Sequence, residues 1–214
     1  MPMELAPLIG NISARHVNGV DLYELPDAVV AIGGIGAVHA RRAAEVAIGQ
    51  YRPQRLLAAG IAGAVSPSLR VGDVNRAREV IDAHSGTSYA ASNGGDWIVV
   101  TSPKIVDVAE KRRLLAQYGA DVVDMEGAAV AAVAKQHGLD FAAIKSVSDE
   151  ADFAMPPLNR FVREDGQLAI GSFAFYALLH PEWWAALIRL RRNSAVASTK
   201  LCAAVEHLLK GSCQ

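Results

Sequence analysis

The chain has 214 residues, of which 51% are hydrophobic but only 6% aromatic, and it carries 21 basic against 22 acidic side chains. That length suits one domain with a sizeable core built from Ala, Val, Leu and Ile. Well-mixed, nearly neutral charge argues against a polyanion partner, because nucleic-acid binders concentrate positive charge on one face, and no stretch reaches the about 18 consecutive apolar residues of a membrane span.

The opening Met1-Pro2-Met3-Glu4 has no basic region ahead of an apolar run, so it does not read as a signal peptide. Ala28-Val29-Val30-Ala31-Ile32 is a short apolar run closed by Gly33-Gly34-Ile35-Gly36, which reads as a buried strand entering a glycine turn. Residues His39 to Tyr51 are Ala-rich and end before Pro53, which predicts a helix. Arg55 to Ala59 is the next strand, followed by a second glycine turn at Gly60-Ile61-Ala62-Gly63. Strand, helix, strand is the signature of a largely parallel sheet.

Asp73 to Asp82 reads as a strand and His84 to Gly95 as a Gly/Ser/Asn-rich loop. Trp97 to Thr101 is another strand, Val106 to Tyr118 a helix, and Asp121 to Met125 a short strand. Gly127 to His137 is an Ala/Val helix stopped by Gly138, at the position that takes a left-handed residue. Phe141 to Val147 completes the strands, with Ser148-Asp149-Glu150 just past its carboxyl end. From about 167 onward the chain reads as a helical extension of a single domain spanning 1–214, with Pro181 separating two helices. Trp183, Trp184, Leu187 and Leu190 follow at roughly helical spacing among Arg189, Arg191 and Arg192. An amphipathic helix packed on the domain or on another subunit accounts for that pattern, with a membrane-surface helix as the sharper alternative.

Ligands of open α/β sheets bind at the carboxyl ends of strands, which points to the Gly60 turn, the Met125-Glu126 junction and Ser148-Asp149. Asp149 is a candidate acid, since a carboxyl at a strand end with apolar flanks is open to a desolvation-raised pKa. Ser-Asp is also a common capping and turn pair. Glu126 stands between an apolar strand and an Ala-rich helix, where it is either functional or simply a favourable helix-start carboxylate. Six scattered histidines show no metal-ligand spacing, so neither a metal nor an organic cofactor is expected. Cys202 and Cys213 read as reduced thiols of a cytoplasmic protein, although a single pair is compatible with a disulfide.

Val123-Asp124-Met125-Glu126-Gly127-Ala128-Ala129-Val130-Ala131 followed by Lys145-Ser146-Val147-Ser148-Asp149-Glu150-Ala151-Asp152 resembles the nucleoside phosphorylase superfamily. The 5′-methylthioadenosine/S-adenosylhomocysteine nucleosidases are the branch it looks nearest to. Gly34-Ile35-Gly36, Gly60-Ile61-Ala62-Gly63 and Pro67 to Asp73 fall in the family's order, and the resemblance covers roughly residues 1–165. It implies a three-layer αβα sandwich with a central mixed, largely parallel sheet. It also implies hydrolysis of the N-glycosidic bond of an adenosine-type purine nucleoside that carries a 5′ substituent. The same pattern admits phosphate-dependent cleavage or nucleoside binding without catalysis.

By that resemblance Met125 packs beneath the ribose and Glu126 holds its hydroxyls. Asp149, supported by Ser148, protonates the purine at N7 and reads its 6-substituent. Ile105 and Val106 line the base, and Ile61, Ala62 and Gly63 lie near the anomeric carbon. Phe153 begins the apolar segment, with Met155, Pro156, Pro157, Leu158 and Phe161, that receives the 5′ group. That group is methylthio or something bulkier, such as the lipid-linked adenosyl group of hopanoid-associated relatives, and membrane contact is expected only for a lipid-linked substrate. Glu4 corresponds to the glutamate that activates water, and the family resemblance implies a homodimer.

Three departures carry expectations of their own. The family's first strand precedes that glutamate, and no room for it stands ahead of Glu4. This predicts a gap or repaired edge beside the Ala28–Ile32 and Arg55–Ala59 strands, with Glu4 displaced or mobile and the chain weakly active. Ala58 and Ile61 stand where phosphorylases place an arginine and a serine for phosphate, which needs charge-assisted donors, so phosphorolysis is disfavoured. Ile61 also replaces the serine common in nucleosidases, leaving the region near the anomeric carbon unusually apolar.

Overall fold

The computed structural model describes residues 4–92, 94–161, 163 and 169–211. After one helical turn, α1 (Ala6–Ile9), three short strands β1 (Arg15–Val17), β2 (Val20–Glu24) and β3 (Val29–Ile32) form an antiparallel sheet of their own. Then come α2 (Ala37–Tyr51), β4 (Arg55–Ala64), β5 (Val74–Asp82), β6 (Ser88–Ala90), β7 (Trp97–Thr101), α3 (Val108–Tyr118), β8 (Val122–Asp124), α4 (Gly127–His137) and β9 (Asp140–Asp149). A 3-10 turn at Leu158–Phe161, α5 (Ile170–Leu179), a second 3-10 turn at Pro181–Trp183 and the long α6 (Trp184–Gly211) complete the order.

The main sheet is mixed and runs β6-β5-β7-β8-β4-β9, and β5 pairs with β9 as well, so that five strands close on themselves. Period-two alternation in β4 separates its faces. Leu56, Ala58 and Ala62 pack with Ala128, Ala131 and Val133 of α4, while Leu57 and Ala59 pack with Leu201 and Val205 of α6. Helices thus cover both sides, and β9 is buried from Phe141 to Asp149. The layered α/β architecture expected of the resemblance is present. Gly138 ends α4 at φ 65° in the left-handed region that a Cβ disfavours.

Several local expectations need correction. Gly60 to Gly63 is not a turn but part of β4, which pairs with β9 as far as Gly63, with one bulge between Ala62 and Gly63, and with β8 at Gly63 and Ala64. Ser148 and Asp149 end β9 rather than following it. The loop at 84–95 contains the short strand β6, paired antiparallel with β5. The strand–helix–strand reading of residues 28–59 places β3 beside β4, yet the two belong to different sheets and β3 pairs with β2 alone.

Between them lies a cavity of about 1140 Å³, lined on one side by Val29 to Gly34 and on the other by Arg55 to Gly63. All four residues of β3 are apolar and all four are only half-buried, whereas apolar strands of this kind normally have both faces covered. The cavity therefore separates β3 from β4. No helix among the described residues is long and apolar enough to cross a membrane.

Candidate active site

Asp124 closes β8, and its carboxylate is fixed from three directions. Thr101 Oγ1 donates to Oδ1 at 2.6 Å, the Gly127 amide donates to Oδ2 at 2.8 Å, and Lys145 Nζ lies 2.6 Å from Oδ2. The Gly127 bond ties the first residue of α4 back to the end of β8, and Glu126 between them lines the cavity between β3 and β4. Glu126 Oε1 accepts from the Gly36 amide at 2.7 Å, where the glycine turn after β3 has φ 94°. The turn that sequence places after the first apolar strand thus orients a carboxylate ninety residues away.

Lys145 is 3% exposed on the side chain and Asp124 is 1% exposed. Burial alone lowers an ammonium's pKa, but Asp124, with Glu126 and Glu4 behind it, outweighs that and holds Lys145 above its ordinary value. Burial pushes the Glu126 carboxyl up, and the Asp124 charge adds to the rise, while Lys145 and the Gly36 N–H oppose it. A carboxyl whose pKa is raised by folding costs stability as it ionises, because the unfolded chain gives up the proton first. We therefore expect Glu126→Gln to hold or raise the melting temperature, by an amount that grows as pH climbs from about 4, near the ordinary glutamate value, toward neutrality. If Glu126 holds the ribose, the same variant loses kcat/KM on adenosine-type nucleosides. Unchanged kcat/KM would leave Glu126 as a helix-start residue.

Glu4 is not displaced from this cavity. A Cβ added at Gly60 would stand 3.2 Å from Glu4 Oε2 and 3.6 Å from Lys145 Nζ. Gly60 is thus the bare stretch of strand that lets both charged ends converge. Its anchor is the C-terminal helix: Ser198 Oγ donates to the Glu4 carbonyl at 2.7 Å, and Cys202 Sγ lies 3.6 Å from the same oxygen. Leu5 and Leu8 pack with Ile144, Leu201 and Val205. Sequence reasoning tied the placement of Glu4 to a preceding strand, whereas α6 supplies the anchor.

At the other end of the cavity, Asp149 Oδ1 accepts from Ser148 Oγ at 2.8 Å, and Lys111 Nζ of α3 donates to Asp149 Oδ2 at 2.5 Å and to the Glu150 carbonyl at 2.9 Å. Gly63 makes this pair feasible, since a Cβ there would lie 3.0 Å from Asp149 Oδ2 and 3.4 Å from Lys111 Cε. Met125, Ile61, Ala62, Gly63, Ile105, Val106 and Ser148 line the same cavity as Glu4, Glu126 and Asp149. Phe153 does not. It is 5% exposed, buried beneath the Arg189 guanidinium at 5.4 Å, and Met155 and Leu158 of the same segment line the cavity instead. Both backbone groups of Ile105 are held by Asn159, its N–H by Oδ1 at 2.9 Å and its C=O by Nδ2 at 2.8 Å.

A family model for the phosphorylase superfamily matches residues 22–103 and 98–174. The chain belongs to the phosphorylase superfamily. Among curated relatives of this superfamily member, an aminodeoxyfutalosine nucleosidase of Helicobacter pylori is 23% identical over 181 residues, covering 70% of this chain and 76% of the relative. A 5′-methylthioadenosine/S-adenosylhomocysteine nucleosidase of a Shewanella species is 26% identical over 197 residues, covering 73% and 84%. The solved structure of a Neisseria meningitidis 5′-methylthioadenosine/S-adenosylhomocysteine nucleosidase in complex with methylthio-immucillin-A shares the fold, with TM-score 0.74 and 20% identity over 99% of this chain and 96% of that one.

Sequence reading did not single out Lys111, Lys145, Asp124, Ser198 or Asn159. Lys145 carried a signal, being a lone cation inside the apolar run Phe141 to Val147, where a buried charge requires a partner. Lys111 carried none, standing among the charged residues Glu110, Arg112 and Arg113 of an otherwise ordinary helix.

Proposed function

We propose that this chain hydrolyses the N-glycosidic bond of an adenosine-type purine nucleoside bearing an apolar 5′ substituent. The observation that carries the reading is the meeting of Glu4, Glu126 and Asp149 in one cavity, because leaving base, ribose and water each need a polar group at the bond that breaks. Asp149 protonates N7 of the departing purine and accepts from a 6-amino group. Glu126 holds the ribose hydroxyls over Met125, where hydrogen bonds strengthen as the sugar gains oxocarbenium character. Glu4 takes the proton of the attacking water. Met155, Leu158 and Leu190 give the 5′ substituent an apolar wall. The names of the nucleosidase relatives support the same reaction class.

Phosphorolysis is the second reading, and the buried cations do not favour it. Lys111 and Lys145 are each already bound to a carboxylate, so phosphate would compete with two ion pairs for its donors. Purine release from adenosine and its 5′-substituted analogues, measured with and without phosphate, decides between them. Free ribose sugar without phosphate supports hydrolysis, ribose 1-phosphate that forms only with phosphate supports the alternative, and ligand retained unchanged marks a binding protein.

The chain acts as a single unit in the cytoplasm, in this reading, with the segment after residue 167 part of it. Its partner is a second copy. Phe175, Leu178 and Leu179 of α5 and Trp184 and Ile188 of α6 are exposed, and the Trp184 indole donates to the Ala177 carbonyl, which sets its ring beside the last turn of α5. Large apolar side chains exposed on two successive helices suit an interface, and symmetric dimers are the commonest assembly. We expect a dimer mass by light scattering at micromolar concentration, converted to monomer by Leu178→Asp with Ile188→Asp. A monomer before substitution removes this assignment. Membrane contact would follow only for a lipid-linked 5′ group.

A further inference from the structure

An ion pair between α3 and β9 joins Lys111 to Asp149. The two side chains are 2% and 4% exposed, and Nζ donates to Oδ2 at 2.5 Å. A second bond to the Glu150 carbonyl aims the ammonium along the end of β9. Oδ1 is held by Ser148, whose hydroxyl also faces the Ala62 carbonyl at 3.2 Å, so the carboxylate is locked in orientation. Each carboxylate oxygen accepts at more than one position, which leaves room for a base to dock while both bonds persist. A purine leaving group must be protonated, and the partner that the structure gives Asp149 is itself a hydrogen-bond donor. Arginine would serve the pairing as well, but it cannot release a proton. Lysine can.

We propose that Lys111 is the proton source for the departing base, acting through Asp149. The inference rests on the nucleosidase reading above. As the C–N bond breaks, its electron pair moves onto the purine, and the proton that leaves Lys111 Nζ passes through Asp149 Oδ2 to N7. Lys111 is left as the neutral amine and Asp149 remains a carboxylate. Water adds to the sugar cation and gives its proton to Glu4. Exchange with solvent then returns one proton from Glu4 to Lys111, and the sum is nucleoside plus water to base plus ribose sugar. Lys111 is a positioning and proton-supplying residue, since Asp149 alone meets the purine.

The test compares two leaving groups. An adenosine-type nucleoside needs protonation, whereas 4-nitrophenyl riboside departs as a stable anion without it. Lys111→Arg, which keeps the charge, is expected to lower kcat on the nucleoside by about 100-fold, at the low end of what a general acid contributes. KM and the rate on the nitrophenyl riboside should stay within about threefold. Equal losses on both substrates would make Lys111 a structural cation, and no loss on either would remove it from the proton path. Both overturn the inference. If the arginine variant does not fold, single-turnover rates of the unaltered protein in light and in heavy water decide. A slowing in heavy water for the nucleoside with none for the nitrophenyl riboside supports proton delivery in the cleavage step, and equal slowing of both overturns it. Failure of the unaltered protein to cleave either substrate would instead sink the nucleosidase reading itself.

Discussion

Asp149→Asn is expected to lower kcat on adenosine-type nucleosides by about 100-fold or more, the range of a lost general acid, while the fold survives. The amide keeps the shape of the carboxyl, but its single oxygen accepts from Ser148 or from Lys111 and not from both, and it cannot carry a proton to a base. The substitution has a second, separable cost. Lys111 keeps the Glu150 carbonyl but loses its counter-charge in a site with 2% exposure. Breaking one side of a buried pair costs roughly 3 kcal/mol, or a fall in melting temperature of roughly 6–12 °C for a domain of this size. Turnover should therefore be measured well below the variant's own melting transition, with circular dichroism on the same sample. Near-normal kcat from a folded Asp149→Asn protein would take the acid assignment away from this residue.

The second large effect concerns the space between β3 and β4. An added extended segment of about eight apolar residues, joined ahead of Met1, is expected to enter that space and raise the melting temperature by roughly 10 °C. Each buried apolar side chain contributes about 2 kcal/mol, and each newly ordered residue costs about 1.5 kcal/mol. The net of about 4 kcal/mol converts at about 2–4 °C per kcal/mol. Half-buried Val29, Val30, Ala31 and Ile32 would gain a covering neighbour, and the strand edges facing the cavity would gain backbone partners. A faster nucleosidase rate should accompany the stabilisation if the segment stiffens Glu4 and leaves the part of the cavity beside Glu126 and Asp149 open to the nucleoside. A polar segment of equal length is the control. Equal melting temperatures for the two extensions would show that the space does not accept a strand.

Most strands and helices were legible in the sequence because they carry clean local patterns. Trp97 to Thr101 and Gly127 to His137 coincide with their elements, and Gly138 marked its helix end through backbone freedom alone. What failed was the meaning of glycine inside a strand. Gly60 and Gly63 look like turn residues locally, but they serve side chains arriving from elsewhere: Glu4 and Lys145 at one, Asp149 and Lys111 at the other. Such a role depends on contacts tens of residues apart and leaves no local trace. The Met125-Glu126 and Ser148-Asp149 pairs were legible because their order along the chain is itself informative. The ion pairs behind them were not, since Lys111 and Lys145 meet Asp149 and Asp124 only after the sheet has formed. The anchoring of Glu4 was equally hidden, because Ser198 is 194 residues away.

That anchoring gives the site a built-in chemical reporter. The Cys202 sulfur rests 3.6 Å from the Glu4 carbonyl, and burial pushes its thiol pKa up, so alkylating reagents meet little thiolate while the N-terminal segment stays seated. Labelling must wait for the segment and α6 to part. The alkylation rate of Cys202 therefore reads how often Glu4 leaves its seat, and a nucleoside that engages Glu4 from the cavity side should slow it from a distance.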